Sequence, residues 1–238
     1  MVSGRIRGIE ALVRWNHPLQ GILLPEFFLP QLLRAELMAE LSFWVMKKVA
    51  RQALSWSHAP GELPLPVSVN LSRRELRGPV SPVVQLREVI VETGLSPDRL
   101  EIEIAFSDGR LGEDAPILAG IRDLGVRLVA DDFGEGVVSL DLLRSGLFDR
   151  VKLSRQLSPG GDSGGFDPKV AAMLRVILSM LRDLEVPAVS KGVESRESVR
   201  LLREIGLRYI QGFAVSRPLS PQEIAVLAAS GPIGPGAV

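Results

Sequence analysis

Cysteine is absent from this sequence, which excludes disulfides, thiolate metal sites and a thiol nucleophile and gives no sign of an oxidising compartment. Histidine is scarce, at two in 238 residues, so little imidazole is available for acid–base work. His17 and His58 precede turn signals, in His17-Pro18 and His58-Ala59-Pro60, and both read as structural. Neither sign of charge is in excess, because 28 Lys and Arg balance 28 Asp and Glu. No global field therefore draws nucleic acid or an anionic membrane. Aromatic residues form only 5% of the chain, and no basic stripe accompanies them, so a nucleic-acid partner is not expected. No apolar run reaches the ~20 residues that span a bilayer, and Met1 to Arg7 lacks a signal-peptide core. A cytoplasmic protein with no membrane insertion is expected.

What is present is alternation. Strand-like segments at 8–15, 65–71, 99–105, 126–132, 149–153, 187–191 and 208–213 are separated by segments of helical periodicity. Gly94, Gly125 and Gly206 stop three of the helices, and Ser72 with Glu75 has the pattern of a capping box. Strands joined to helices by short glycine-punctuated loops predict a parallel sheet of βα units. Seven strands are one short of the eight that close a (β/α)₈ barrel, and the missing one is expected before Met1. One domain over 1–230 and a disordered tail over 231–238 are expected. The insert at 157–165 is rich in glycine and follows a strand, which places it over the ligand end of the sheet. The methionines and Trp44 lie at helical spacing and read as core.

The most informative stretch is Arg127-Leu128-Val129-Ala130-Asp131-Asp132-Phe133-Gly134, an apolar strand ending in two carboxylates and a glycine turn. Buried carboxylates are costly unless a cation or several donors meet them. Other strands repeat the theme: Glu10, Asn70, Glu103, Lys152, Lys191 and Gln211 each lie at or near a strand end in apolar surroundings. In a barrel those ends converge on one mouth. Carboxylates with an amide oxygen are hard donors suited to Mg²⁺, Mn²⁺ or Ca²⁺.

Glu10-Ala11-Leu12 with Arg14-Trp15, Asn70-Leu71-Ser72, Glu103, Asp131-Asp132-Phe133-Gly134, Lys152, Gly192-Val193-Glu194, Gln211-Gly212 and Arg217-Pro218-Leu219 occur in register. In these motifs the chain resembles the EAL domain, the cyclic di-GMP phosphodiesterase family, from Gly4 to about Leu227. The resemblance implies a (β/α)₈ barrel whose first strand runs antiparallel and immediately precedes Gly4. It implies hydrolysis of cyclic di-GMP to linear pGpG by two cations that activate water and stabilise the developing charge. By position, Glu10, Asn70, Glu103 and Asp131 would hold one metal, and Asp131 with Asp132 the second. Lys152 would hold the attacking water or a phosphate oxygen, and Glu194 is a retained acid of the catalytic motif. Arg14, Asp132, Lys191, Gln211 and Arg217 complete the expected ligand-binding set.

The chain departs from the family pattern where catalysis is concentrated. The family's Glu-Gly-Val-Glu reads Lys191-Gly192-Val193-Glu194, its Glu-Ile-Thr-Glu ends in Ala105-Phe106, and its Lys-Ile-Asp reads Lys152-Leu153-Ser154. Glu135 and Val137 replace the Thr and Tyr of the loop that couples site to dimerisation. Exchanging a carboxylate for an ammonium changes two charge units. At ~4–6 Å and an effective dielectric near 20, each pair of unit charges is worth about 3–4 kcal/mol, and the change is repulsive toward a divalent cation. The expectation is a degenerate EAL domain with one weakened Mg²⁺ or Mn²⁺ site and the second lost. It would act as a cyclic di-GMP receptor or as an interaction module with a protein partner or a second copy. The alternatives are a slow phosphodiesterase and a nucleotide-independent protein-binding regulator.

Overall fold

The computed structural model describes residues 4–56, 65–105, 111–135, 140–159 and 167–229. The strands in chain order are β1 (Ile9–Glu10), β2 (Trp15–His17), β3 (Gly21–Leu23), β4 (Val67–Asn70), β5 (Leu100–Ala105), β6 (Arg127–Phe133), β7 (Arg150–Leu153), β8 (Ala188–Ser190) and β9 (Tyr209–Ile210). The helices are α1 (Pro25–Arg34), α2 (Met38–Trp56), α3 (Arg73–Leu76), α4 (Pro82–Thr93), α5 (Ala115–Asp123), α6 (Leu140–Arg144), α7 (Pro168–Asp183), α8 (Arg196–Ile205) and α9 (Pro221–Ala229).

Seven strands form one wholly parallel sheet in the order β1-β4-β5-β6-β7-β8-β9, with helices between successive members. Its middle is buried on both faces, as parallel sheets covered by helices require. Leu100, Ile102, Ile104, Leu128, Ala130 and Val151 have no exposed surface. Leu118 and Ile121 of α5 and Leu86 and Val89 of α4 belong to the same apolar cluster. The ends are punctuated as the sequence indicates. Gly94 and Gly206 take left-handed conformations, φ 70° and 98°, after α4 and α8, which a side chain would resist. Ser72 accepts from the Glu75 amide and the Glu75 carboxylate accepts from the Ser72 amide, closing a capping box directly after β4.

The sheet curls. β1 and β9 stand at opposite ends of the strand order, yet Gln211 Nε2 donates to Glu10 Oε2 at 2.6 Å. The carboxyl ends of all seven strands thus face a common mouth, which is the barrel-like arrangement the βα alternation predicts.

Two expectations need correction. The 8–15 segment is not one strand: β1 ends at Glu10, and Trp15–His17 pairs antiparallel with Gly21–Leu23 as a separate hairpin. The reversal is braced by His17, whose Nδ1 accepts from the amides of Leu19 and Gln20 at 3.2 and 3.3 Å. His17 is accordingly structural. Trp44 and Met173 are not core; they are 53% and 55% exposed, whereas Met46 is fully buried. Helical spacing gives a face but not its direction, and Trp44 lies on the outward one, with the Lys48 ammonium 5.6 Å from its ring centroid. His58, Phe106, the 136–139 loop and the 231–238 tail lie outside the described residues. No described helix is long and apolar enough to cross a membrane.

Candidate active site

Six strands deliver one polar group each to the mouth and β6 delivers two, and the groups meet as two ion clusters. The first centres on Lys152 of β7, whose Nζ lies 2.8 Å from Glu10 Oε2 and 2.5 Å from Glu103 Oε1. Glu10 also accepts from Asn70 Nδ2 at 2.9 Å and from Gln211 Nε2 at 2.6 Å. Four strands separated by up to 201 residues in sequence are therefore tied through one carboxylate. Glu103 and Lys152 are 1% and 5% exposed, so neither charge has water to fall back on.

Burial and pairing compete in this cluster. Burial pushes Glu10 up, but Lys152, Gln211 and Asn70 together hold its carboxyl below the usual range. For Glu103 burial wins over the Lys152 attraction, assisted by the neighbouring Glu10, and its carboxyl is pushed up to about 7. Burial would lower Lys152, yet Glu103 and Glu10 outweigh it and raise the ammonium above its ordinary value. Glu103 Oε1 lies 2.5 Å from the ammonium, and Lys152 and Ser68 are the groups that favour its charged form against burial.

The second cluster is built on a distortion of β6. Successive side chains of a regular strand point to opposite faces, so Asp131 and Asp132 should diverge. The pairing with β7 shifts register between Ala130 and Phe133, and Asp132 takes a left-handed φ of 53°. Asp is among the few residues that tolerate this conformation. The bulge lets both carboxylates reach one point, and that point is the Lys191 ammonium. Nζ lies 2.7 Å from Asp131 Oδ1 and 2.5 Å from Asp132 Oδ1. Burial lowers the Lys191 amine, but the two aspartates outweigh it, and its pKa lies above the ordinary lysine value.

Other residues singled out in the sequence stand apart. Arg14 Nη1 donates to the adjacent Val13 carbonyl at 2.8 Å. Arg217 stacks on Phe213, 4.6 Å from the ring centroid. Glu194 is exposed and faces Arg155 at 3.5 Å rather than the acids. Glu135 is exposed, its amide donating to the Asp132 carbonyl at 3.1 Å. Ser154 is fully buried, with no hydrogen-bond partner for its hydroxyl. Sequence reasoning missed Ser158 and Ser190, which lie behind Lys191; the only signal was a serine ending a short apolar strand.

The model of the EAL domain family matches residues 1–218. The chain belongs to that family. Among curated proteins, an uncharacterized signaling protein of Caulobacter vibrioides is 36% identical over 99% of this chain, and the cyclic di-GMP phosphodiesterase NbdA of Pseudomonas aeruginosa is 33% identical over 92%. The chain spans 28% of the length of each. Among solved structures, the c-di-GMP complex of the PaMucR phosphodiesterase superposes with a TM-score of 0.84 at 27% identity, covering 94% of this chain and 90% of that one. This EAL domain is thus related to cyclic di-GMP phosphodiesterases, and its curled sheet of seven strands is the EAL barrel architecture.

EAL domains generally depend on Mg²⁺ or Mn²⁺. The residues of this chain do not fit a pair of such ions. Among the described residues, no group of three or more Asp, Glu or His side chains is arranged to hold one. The acids close on lysines instead: Lys152 lies between Glu10 and Glu103, and Lys191 between Asp131 and Asp132. An ammonium bridging two carboxylates occupies the place where a second divalent cation would need those same oxygens.

Proposed function

We propose that this EAL domain is a cyclic di-GMP receptor that does not cleave its ligand efficiently. The observation that carries the reading is Lys191 Nζ at 2.7 and 2.5 Å from Asp131 and Asp132. Hydrolysis in this family needs activated water between two cations. Here the Lys191 ammonium offsets one of the two charges of the acid pair and engages an oxygen of each, so the attraction that would recruit the second ion is roughly halved. A weakened Mg²⁺ or Mn²⁺ site through Glu10, Asn70, Glu103 and Asp131 would form only if those side chains moved off Lys152 and Lys191, which hold them in this structure. The exposed position of Glu194 and the burial of Ser154 support the same conclusion, because neither presents a carboxylate to a phosphate at the mouth.

Binding itself is favoured by what disfavours catalysis. Four acids at the mouth would repel a phosphodiester; Lys152 and Lys191 cancel two of those charges without a metal. Arg14, Gln211 and Arg217 are the remaining candidates for contact with the nucleotide. The relationship to proteins that act on or bind cyclic di-GMP supports that ligand over others.

Calorimetric titration with cyclic di-GMP, in chelator and with Mg²⁺ or Mn²⁺, followed by product analysis, tests the reading. The expected result is micromolar or tighter binding in both conditions and no pGpG. Turnover typical of the family overturns it. Absence of nucleotide binding, together with capture of a stable protein partner, selects an interaction module instead.

A further inference from the structure

Lys191 has a long flexible stem and the open mouth before it, so something must hold its root. β8 is only three residues long, and Lys191 leaves it into a turn at Gly192 with φ 65°. On one side β9 holds this segment through backbone bonds, Gln211 N to Ser190 O at 2.8 Å and Val193 N to Gln211 O at 3.0 Å. On the other side the loop after β7 holds it through hydroxyls. Ser158 Oγ donates to the Lys191 carbonyl at 2.7 Å and lies 2.5 Å from Ser190 Oγ. A hydroxyl has one proton; since that of Ser158 goes to Lys191, Ser190 is the donor in the Ser158–Ser190 bond. Ser158 and Ser190 are 6% and 0% exposed, so water does not replace either bond.

The same logic continues outward. Ser198 Oγ, on the first turn of α8, donates to the Pro159 carbonyl at 3.0 Å. Ser195 Oγ, 2.8 Å away, is then the donor to Ser198 Oγ and accepts from the Ser198 amide at 3.0 Å. Four hydroxyls thus connect the start of α8, the loop after β7 and the backbone of Lys191. Among the described residues, the hydroxyl hydrogen bonds of Ser158 and Ser190 go to each other and to the Lys191 carbonyl.

We propose that Ser158 and Ser190 are positioning residues that aim the Lys191 ammonium at Asp131 and Asp132. Losing the Ser158 hydroxyl frees the Lys191 carbonyl and the turn at Gly192, and the side chain then samples solvent. The effect on the amine stands by itself; an effect on nucleotide binding rests on the receptor reading.

The experiment is reductive dimethylation of the free protein, with the rate at Lys191 measured by mass spectrometry against exposed Lys48 in the same sample. Ser158→Ala is expected to raise the Lys191 rate several-fold, with Lys152 unchanged and Ser158→Thr restoring the wild-type rate. An unchanged Lys191 rate in Ser158→Ala overturns the proposal, whether or not the melting temperature falls. If Ser158→Ala does not fold, Ser190→Ala is read the same way; a smaller rise supports the proposal and no rise overturns it. Cyclic di-GMP titration of these variants is a separate arm. Wild-type protein that fails to bind nucleotide defeats the receptor reading and leaves the labelling result intact.

Discussion

Replacing Lys191 by alanine exposes the balance between lysine and metal at this mouth. The wild-type ammonium offsets one of the two charges on Asp131 and Asp132 from 2.7 and 2.5 Å. Without it, two carboxylates face the incoming phosphodiester uncompensated. At ~5 Å and an effective dielectric of ~20, one unit charge is worth about 3 kcal/mol. The Lys191 side chain is 18% exposed, so solvent trims this to ~2–3 kcal/mol, a loss of ~30–150-fold in affinity. The assay is cyclic di-GMP titration of wild type and Lys191→Ala, each in chelator and in excess Mn²⁺. Wild type should bind alike in both conditions. Lys191→Ala should bind weakly in chelator and recover in Mn²⁺, because the ion regains the oxygens that the ammonium held. A variant that binds in chelator within about threefold of wild type refutes the claim that Lys191 does the work of a cation.

Further outcomes follow from other parts of the molecule. Glu103 is raised from 4.5 to about 7 by burial. The native state therefore holds this proton more tightly than the unfolded chain does, and the stability it contributes is full below about pH 4.5 and lost as pH rises through about 7. Urea midpoints at pH 5 and 8 should show Glu103→Gln gaining on wild type at the higher pH; parallel midpoints would contradict this. Lys191→Glu should not restore hydrolysis, since Ser154 stands where the family has an acid; pGpG formation would show that Lys191 alone silences the site. Ile102→Ala, on a strand buried on both faces with no exposed surface at that residue, should cost about 2–5 kcal/mol in denaturant unfolding. Gly212→Ala should disturb the mouth, because Gly212 has φ 148° and an added Cβ would collide with the Val193 backbone. Near-wild-type stability of that variant would show that the turn can yield.

Much of the architecture is legible from residue order. Glycines after α4 and α8, a serine–glutamate capping pair after β4 and alternating apolar segments are local signals, and the chain obeys them. The polar residue near each strand end is legible for a related reason: in apolar surroundings a lone Glu, Asn or Lys has no local explanation. Trp44 is not legible in the same way, since periodicity in α2 gives a stripe without saying which side faces the sheet. Nor is the hairpin of β2 and β3, because Gly8 to Trp15 has no break in pattern where β1 ends.

The sequence by itself determined the family, the parallel sheet and the fact that a lysine stands at position 191. Only the tertiary structure decided where its ammonium goes. That outcome depends on the bulge that turns Asp131 and Asp132 to the same side, and on hydroxyls from Ser158 and Ser190 that fix the backbone beneath Lys191. Such arrangements arise from pairing between segments distant in the chain, and a side chain with four rotatable bonds takes its direction from those partners, not from its neighbours in sequence.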